Sequence, residues 1–221
     1  MCNLYSVTKG QKAIIDLVRA MRDTTGNMPP MFAIFPNAKA PIVRTAPDGV
    51  RELSYARWGV EPPVIPGAKS HGRWITNIRN SKSRFWLPHL KNPEQRALIP
   101  ASSFSEPDNT KGERSQWTWF ARDDARTPFF FPGIWKTYEG DRGTKKTPEI
   151  GTHTAFAFLT TDAGPDTAAV HPDASPVILW EPDDLEMWLH APWELAQTLQ
   201  RPPPAGALKT VAVDTKQDPG T

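Results

Sequence analysis

A chain of 221 residues in which Lys+Arg 26 stand against Asp+Glu 24 carries a formal net charge of +2, so no global attraction to a polyanion is built in. Its single cysteine excludes an intrachain disulfide and a cysteine-rich zinc site, and no apolar run reaches membrane-spanning length. The length fits one large domain or two small ones. The 24 prolines argue for many short elements joined by ordered turns, and 9 tryptophans leave aromatic surface for stacking as well as packing. The N-terminus lacks a basic region followed by an apolar segment, so no secretory signal is expected and a reducing cytoplasmic setting is the default.

The lone cysteine is Cys2, directly behind Met1. If Met1 is removed, one residue carries a free α-amine of reference pKa about 7.7–8.0 beside a thiol of about 8.5. An aldehyde can condense with that amine to an imine, and the neighbouring thiol can then close a five-membered ring. No internal cysteine can do this. The plain alternative is that Cys2 is the second residue of a frayed terminus.

Along the chain, Leu4–Val7 alternates as a short strand. Thr8-Lys9-Gly10-Gln11 has the form of a capping box, and Ile14, Ile15, Leu17, Val18 and Met21 follow at helical spacing to an end near Gly26. Strands are expected at Met31–Phe35, Pro41–Thr45 and Arg51–Val60, with Pro47-Asp48-Gly49 as a hairpin turn and a loop over Glu61–Gly72. Between Lys69 and Arg96 the bases Lys69, Arg73, Arg79, Lys82, Arg84, Lys91 and Arg96 face one acid, Glu94, with Trp74, Phe85 and Trp86 interleaved. Cations for phosphates alternating with flat rings for bases is what a single-stranded nucleic-acid groove needs; a solvated basic loop reads the same way.

Ala97–Phe104 is a compact apolar strand ending in Ser105-Glu106-Pro107, where Glu106 is either a pocket carboxylate with a raised pKa or an ordinary surface residue. A polar loop spans Asp108–Ser115, followed by aromatic-rich strands at Gln116–Ala121 and Phe129–Trp135. Thr137–Gly151 reads as a charged loop and insertion site, and Thr154–Thr161 as a half-buried strand. His171 lies in a proline-rich turn before the apolar strand Val177–Trp180; it is a titratable group held in place, or a turn histidine bonded to backbone. Pro182 and Pro192 each open a helix, and Leu208–Val213 adds a last strand. With no repeat and no linker, one domain is expected over 1–213, followed by a disordered tail over 214–221.

Four pieces stand in a fixed order: Met1-Cys2, Thr76-Asn77-Ile78-Arg79, Phe104-Ser105-Glu106-Pro107 and Val170-His171-Pro172. With Ala56-Arg57-Trp58-Gly59, Leu159-Thr160-Thr161-Asp162-Ala163 and Pro176-Val177-Ile178-Leu179 around them, they resemble the SOS response-associated peptidase family, whose members are abasic-site processing proteins. The likeness covers nearly the whole chain. It departs at Asn3-Leu4, where the family has Gly-Arg, at Ser81 in place of a glutamate, at Pro107 in place of a tryptophan, and at Ala174-Ser175 in place of Arg-Met. An arginine the family places upstream of Arg96 has Arg84 and Lys91 as its nearest substitutes.

The resemblance implies an α+β fold: one domain with a curved, barrel-like, mostly antiparallel β core flanked by helices and a positive channel for single-stranded DNA. It implies no cofactor and no metal, a monomer in the cytoplasm associated with the nucleoid, and abasic sites in single-stranded DNA as partner. Cys2 would attack the ring-opened aldehyde of the abasic site. Asn77 would donate to a developing oxyanion, Glu106 would shuttle protons, and His171 would assist sugar-ring opening or reversal. Arg79, Arg84 and Trp74 would hold the strand, and Met1 removal would be autocatalytic or assisted, with a lyase activity also implied. A non-catalytic single-strand-binding domain and an N-terminal-nucleophile amidase or peptidase are the competing readings.

Overall fold

The computed structural model describes residues 2–63, 74–108 and 116–220. Met1, Lys69, Arg73, most of the expected Glu61–Gly72 loop and residues 109–115 lie outside the described residues. Strand β1 (Leu4–Val7) falls where alternation places it. Helix α1 (Gln11–Val18) buries Ile14 and Val18 but stops well short of Gly26, because Arg19 turns left-handed at φ 50° and returns its N–H to the Ile15 carbonyl. The capping box does not form. Gly10 is the N-cap, and the Gln11 side chain is drawn away to Asp23, Thr25 and the Met28 N–H.

Strands β2 (Arg22–Asp23), β3 (Met31–Ile34), β4 (Lys39–Thr45) and β5 (Arg51–Trp58) follow, β4 and β5 joined through the expected turn with Gly49 at φ 82°. After them come β6 (Asn77–Ile78), α2 (Leu87–Lys91), β7 (Arg96–Ala101), β8 (Ser103–Asp108) and β9 (Gln116–Ala121). The single strand expected across Ala97–Phe104 is therefore two. At Ser102 the backbone passes from one sheet to the other, its N–H donating to the Ser6 carbonyl at 2.8 Å and its hydroxyl accepting from the Thr8 N–H at 2.9 Å.

The long strands β10 (Phe129–Asp141) and β11 (Ile150–Thr161) pair from Gly133 opposite Phe158 out to Asp141 opposite Ile150. That ladder takes both ends of the loop expected over Thr137–Gly151 and leaves residues 142–149 as the loop. Strand β12 is only Ser175–Pro176; beyond it the Val177 N–H donates to the Leu159 carbonyl at 3.0 Å and Leu179 bridges to Phe130, but Val177–Trp180 is not the expected strand. Helix α3 (Pro182–His190) starts at its proline and α4 (Trp193–Ala196) just after Pro192, and β13 (Lys209–Val213) closes the order.

Strands β11, β10, β7, β4 and β5 form a closed five-stranded barrel. Four of its pairings are antiparallel; the closing one, β5 to β11, is parallel, with Arg57 opposite Ala155 and Trp58 opposite Phe156. A second sheet in the order β13-β9-β8-β1-β3 packs beside it, giving the expected α+β single domain with a mostly antiparallel barrel and flanking helices. At the centre Phe158 stacks on Trp58 at 5.2 Å and on Phe131 at 4.5 Å, and Tyr5 enters edge-on from β1. Gly133 permits the β10–β11 approach: a Cβ there would stand 2.4 Å from the Ala157 carbonyl oxygen.

Two buried arginines tie the periphery to this core. Arg96, fully buried, donates to the carbonyls of Leu90, Trp188 and Ala191 at 2.7, 3.0 and 2.7 Å, collecting the orphan ends of α2 and α3. Arg126 meets Asp218 at 2.9 Å, and that carboxylate also accepts from Ser6 and Ser103. The tail expected to be disordered is thus docked over 214–220 by an ion pair whose side chains are 4% and 0% exposed.

Asp218→Ala leaves Arg126 charged and unpaired inside the protein, a loss of about 3–5 kcal/mol. A urea titration should show it as a lowered midpoint, and adding Arg126→Met should recover part of the loss; an unchanged midpoint in the single variant would mean the tail is not held by this pair.

Candidate active site at the junction of the two sheets

Cys2, Asn77, Glu106 and His171, spread over most of the chain, meet in one place. β1 delivers Cys2, because Leu4 pairs with Ser105 and Tyr5 with Phe104, which brings the residues before Leu4 alongside Glu106 and Pro107. β6 delivers Asn77, held parallel to β11 opposite Phe158. The Asn77 amide donates to the Cys2 carbonyl at 3.0 Å and to the Thr76 hydroxyl at 2.8 Å, so the N-terminal residue is pinned by its own backbone. Glu106 sits within β8 rather than just past a strand, and His171 reaches in from the turn between β11 and β12, its Nε2 4.0 Å from Glu106 Oε2.

The site is dry. Cys2 and Glu106 are fully buried, Asn77 is 7% and His171 9% exposed. Burial pushes the Glu106 carboxyl up to about 8, and among the described residues neither of its oxygens has a hydrogen-bond partner. Burial, and second the nearby Glu106 charge, hold the Cys2 thiol well above its ordinary value. Burial also lowers His171. At neutral pH the acid, the thiol and the imidazole are therefore all uncharged, the condition in which each can give or take a proton without leaving an isolated ion.

Two residues on from Asn77, Arg79 lies at the rim, paired to Asp162 and facing a polar cleft of about 270 Å³ that Lys82, Thr160 and Gln200 also line. Arg84 is exposed on the turn before α2. Trp74 does not offer two free faces: the Arg142 guanidinium lies 3.6 Å from its ring centre and Tyr138 packs at 5.6 Å. Of the basic segment, Arg79, Lys82, Arg84 and Lys91 are exposed, whereas Arg96 is buried structure and Trp86 is core.

Sequence reasoning missed Gln200, whose amide donates to the Arg79 and Thr160 carbonyls at 3.0 and 2.9 Å and fixes both walls of the cleft. No local pattern marks it. It also missed the Tyr5 and Thr160 hydroxyls, buried without partners among the described residues. Thr160 stood inside a quoted motif and could have been found there. No group of three or more metal-binding side chains occurs among the described residues, and no helix among them is long and apolar enough to cross a membrane.

A family model described as SOS response associated peptidase (SRAP) matches residues 1–217. Among solved structures, the chain is similar to a protein from Bordetella bronchiseptica at 23% identity, covering 96% of this chain and 98% of that one with a TM-score of 0.71. A phage-related protein from the same organism is 19% identical over 94% and 92% of the two chains, TM-score 0.68. A protein from Bacteroides thetaiotaomicron is 17% identical over 94% and 90%, TM-score 0.68. At these identities the likeness is one of fold. No match is found among curated proteins.

A pH titration tests the buried acid. Because the folded pKa of Glu106 is raised to about 8, the native state keeps a proton that the unfolded chain has already released above about 4.3. Stability should fall as pH rises through that window, by on the order of a few kcal/mol, and level off above it. Glu106→Gln should remove this slope. An identical pH dependence in wild type and variant would show that Glu106 is ionised and solvated in the folded protein.

Proposed function

The chain belongs to the SOS response associated peptidase family, and on that premise we propose that it recognises abasic sites in single-stranded DNA and joins itself to them through Cys2. The observation that carries this reading is the convergence of Cys2, Asn77, Glu106 and His171 in one buried site where the carboxyl sits at about 8. Membership places the chain among SOS-associated, DNA-related, peptidase-like proteins; the covalent chemistry is the finer proposal.

The steps balance as follows. Cleavage of the Met1–Cys2 amide, by Cys2 attack on the preceding carbonyl and hydrolysis or by an aminopeptidase, frees the α-amine. His171 takes the proton from the C1′ hydroxyl as the C1′–O4′ bond breaks and returns it to O4′, leaving the aldehyde. The amine adds to the aldehyde carbon, Asn77 turns one N–H from Thr76 to the oxyanion, a proton passes from nitrogen to that oxygen, and protonated Glu106 supplies the second proton with which water leaves, giving a protonated imine. The thiol then adds to the imine carbon, the C=N electron pair goes to nitrogen, and the thiol proton restores Glu106. One water is released and a thiazolidine remains. A raised thiol pKa suits this order, since the amine attacks first and the thiol needs a base only at ring closure. The imine is also the species from which a lyase would eliminate the 3′ phosphate.

Intact mass tests the chemistry. The active protein should be short by one methionine and, after incubation with single-stranded DNA holding one abasic site, should gain the mass of the strand less one water. Cys2→Ser and Cys2→Ala keep the amine and should give only adducts that reverse on heating or are trapped by borohydride. A heat-stable complex formed by Cys2→Ala, or by protein retaining Met1, would sink the thiazolidine.

The rim charges give a separate prediction. Asp162 holds Arg79 in the absence of DNA, so a phosphate must displace it. Arg79→Ala should weaken binding of undamaged single strands and reduce the salt slope by about one, whereas Asp162→Asn should tighten binding. No change in either variant would put the strand on another path.

A further inference from the structure

Arg142 is 3% exposed, yet its guanidinium forms no ion pair among the described residues. One nitrogen donates to the Gly59 carbonyl, and its face covers Trp74 at 3.6 Å, with Tyr138 at 5.3 Å. Nε and Nη1 are buried without an acceptor. The Tyr138 hydroxyl lies beside the Arg142 guanidinium without a well-formed hydrogen bond to it, and the Nε of Arg57 is buried without a partner. All of these groups can donate, and the Arg142 and Arg57 charges repel one another at this range. Glu149 is taken up by Arg57 and, at 3.9 Å, by Lys39. Glu61 is the other acid near Arg142 and forms no hydrogen bond or ion pair with it.

Water could satisfy the hydrogen bonds of such a cluster but not its charge. An oxyanion satisfies both, because a buried guanidinium is tolerated when two oxygens of an anion match its fork. We propose that the niche formed by Arg142, Tyr138 and Arg57 is an oxyanion site of phosphoryl type. It lies against Trp74, three residues before Asn77 on the segment that ends at Arg79. If the function proposed above holds, a backbone phosphate of the bound strand fills the niche on the far side of Asn77 from the Arg79 cleft. Trp74 is then a platform stiffened by Arg142 for that phosphate, and Gly59, at φ 122° with any Cβ 2.9 Å from Trp74, keeps the two segments close enough to form it.

Thermal unfolding in sodium phosphate and in sodium chloride of equal ionic strength and pH tests the site, because a ligand of the native state raises the midpoint with concentration. Wild type should gain a few degrees in phosphate over chloride. Arg142→Met, which keeps the packing on Trp74, should lose that increment, and Tyr138→Phe should lose part of it. Should Arg142→Met fail to fold, Tyr138→Phe carries the test alone. Equal phosphate increments in wild type and the folded variants overturn the proposal. Binding of undamaged single-stranded DNA separates the sources. A salt slope reduced by about one in the variant identifies the strand phosphate, while an unchanged slope with the phosphate increment lost supports a free oxyanion and overturns the strand as source. Loss of abasic crosslinking in wild type with the phosphate result intact would count against the proposed function and leave this site standing.

Discussion

Everything at the site depends on three residue pairs in register: Leu4 with Ser105, Tyr5 with Phe104 and Ser6 with Ser103. A slip of one residue would turn Tyr5 out of the aromatic core and carry the end of the chain away from Glu106. The register is fixed from both faces of β1. On one face Tyr5 is clasped by Trp58, Phe131 and Phe158. On the other Ser6 meets the Ser103 hydroxyl at 2.7 Å and the Asp218 carboxylate at 3.2 Å. The docked C-terminal segment is thereby part of what positions the first residues of the chain.

The site's polarity is the reverse of its surroundings. A carboxyl, a thiol, an amide oxygen and two hydroxyls are held in a fold whose centre is Trp, Phe and Tyr. Each unpartnered group costs about 1–3 kcal/mol, and the barrel's aromatic stacking offsets that cost. What the protein gains is control of protonation. An exposed glutamate would be ionised at neutral pH; one at about 8 keeps its proton there, which is what the proposed loss of water requires of it.

The arginines divide by environment more than by position in the chain. Arg96 and Arg126 close helix ends and the tail. Arg79 is held in reserve by Asp162 at the rim, and Arg142 is buried with donors to spare. A count of basic residues between 69 and 96 treats Arg79 and Arg96 alike and does not reach Arg142 at all, because burial belongs to the packed state.

Alternation, turn residues and prolines determined most short elements: β1, the β4–β5 hairpin, β9 and the helices opened at Pro182 and Pro192 all follow from local pattern. The order of Cys2, Asn77, Glu106 and His171 determined which side chains to expect together, since a lone second-position cysteine has chemistry no other residue here can supply. Only the tertiary structure decided that the strand near 97–104 breaks at Ser102 to change sheets, that both ends of the loop over 137–151 join the ladder, and that 214–220 is docked. The Ser102 N–H and the Asp218 carboxylate are satisfied by partners distant in sequence, and the outer β10–β11 ladder extends a hairpin whose length is set by pairing between its arms; no local propensity encodes where those partners lie. The same holds for Glu106: its type could be read from the chain, but its pKa is set by the core packed around it.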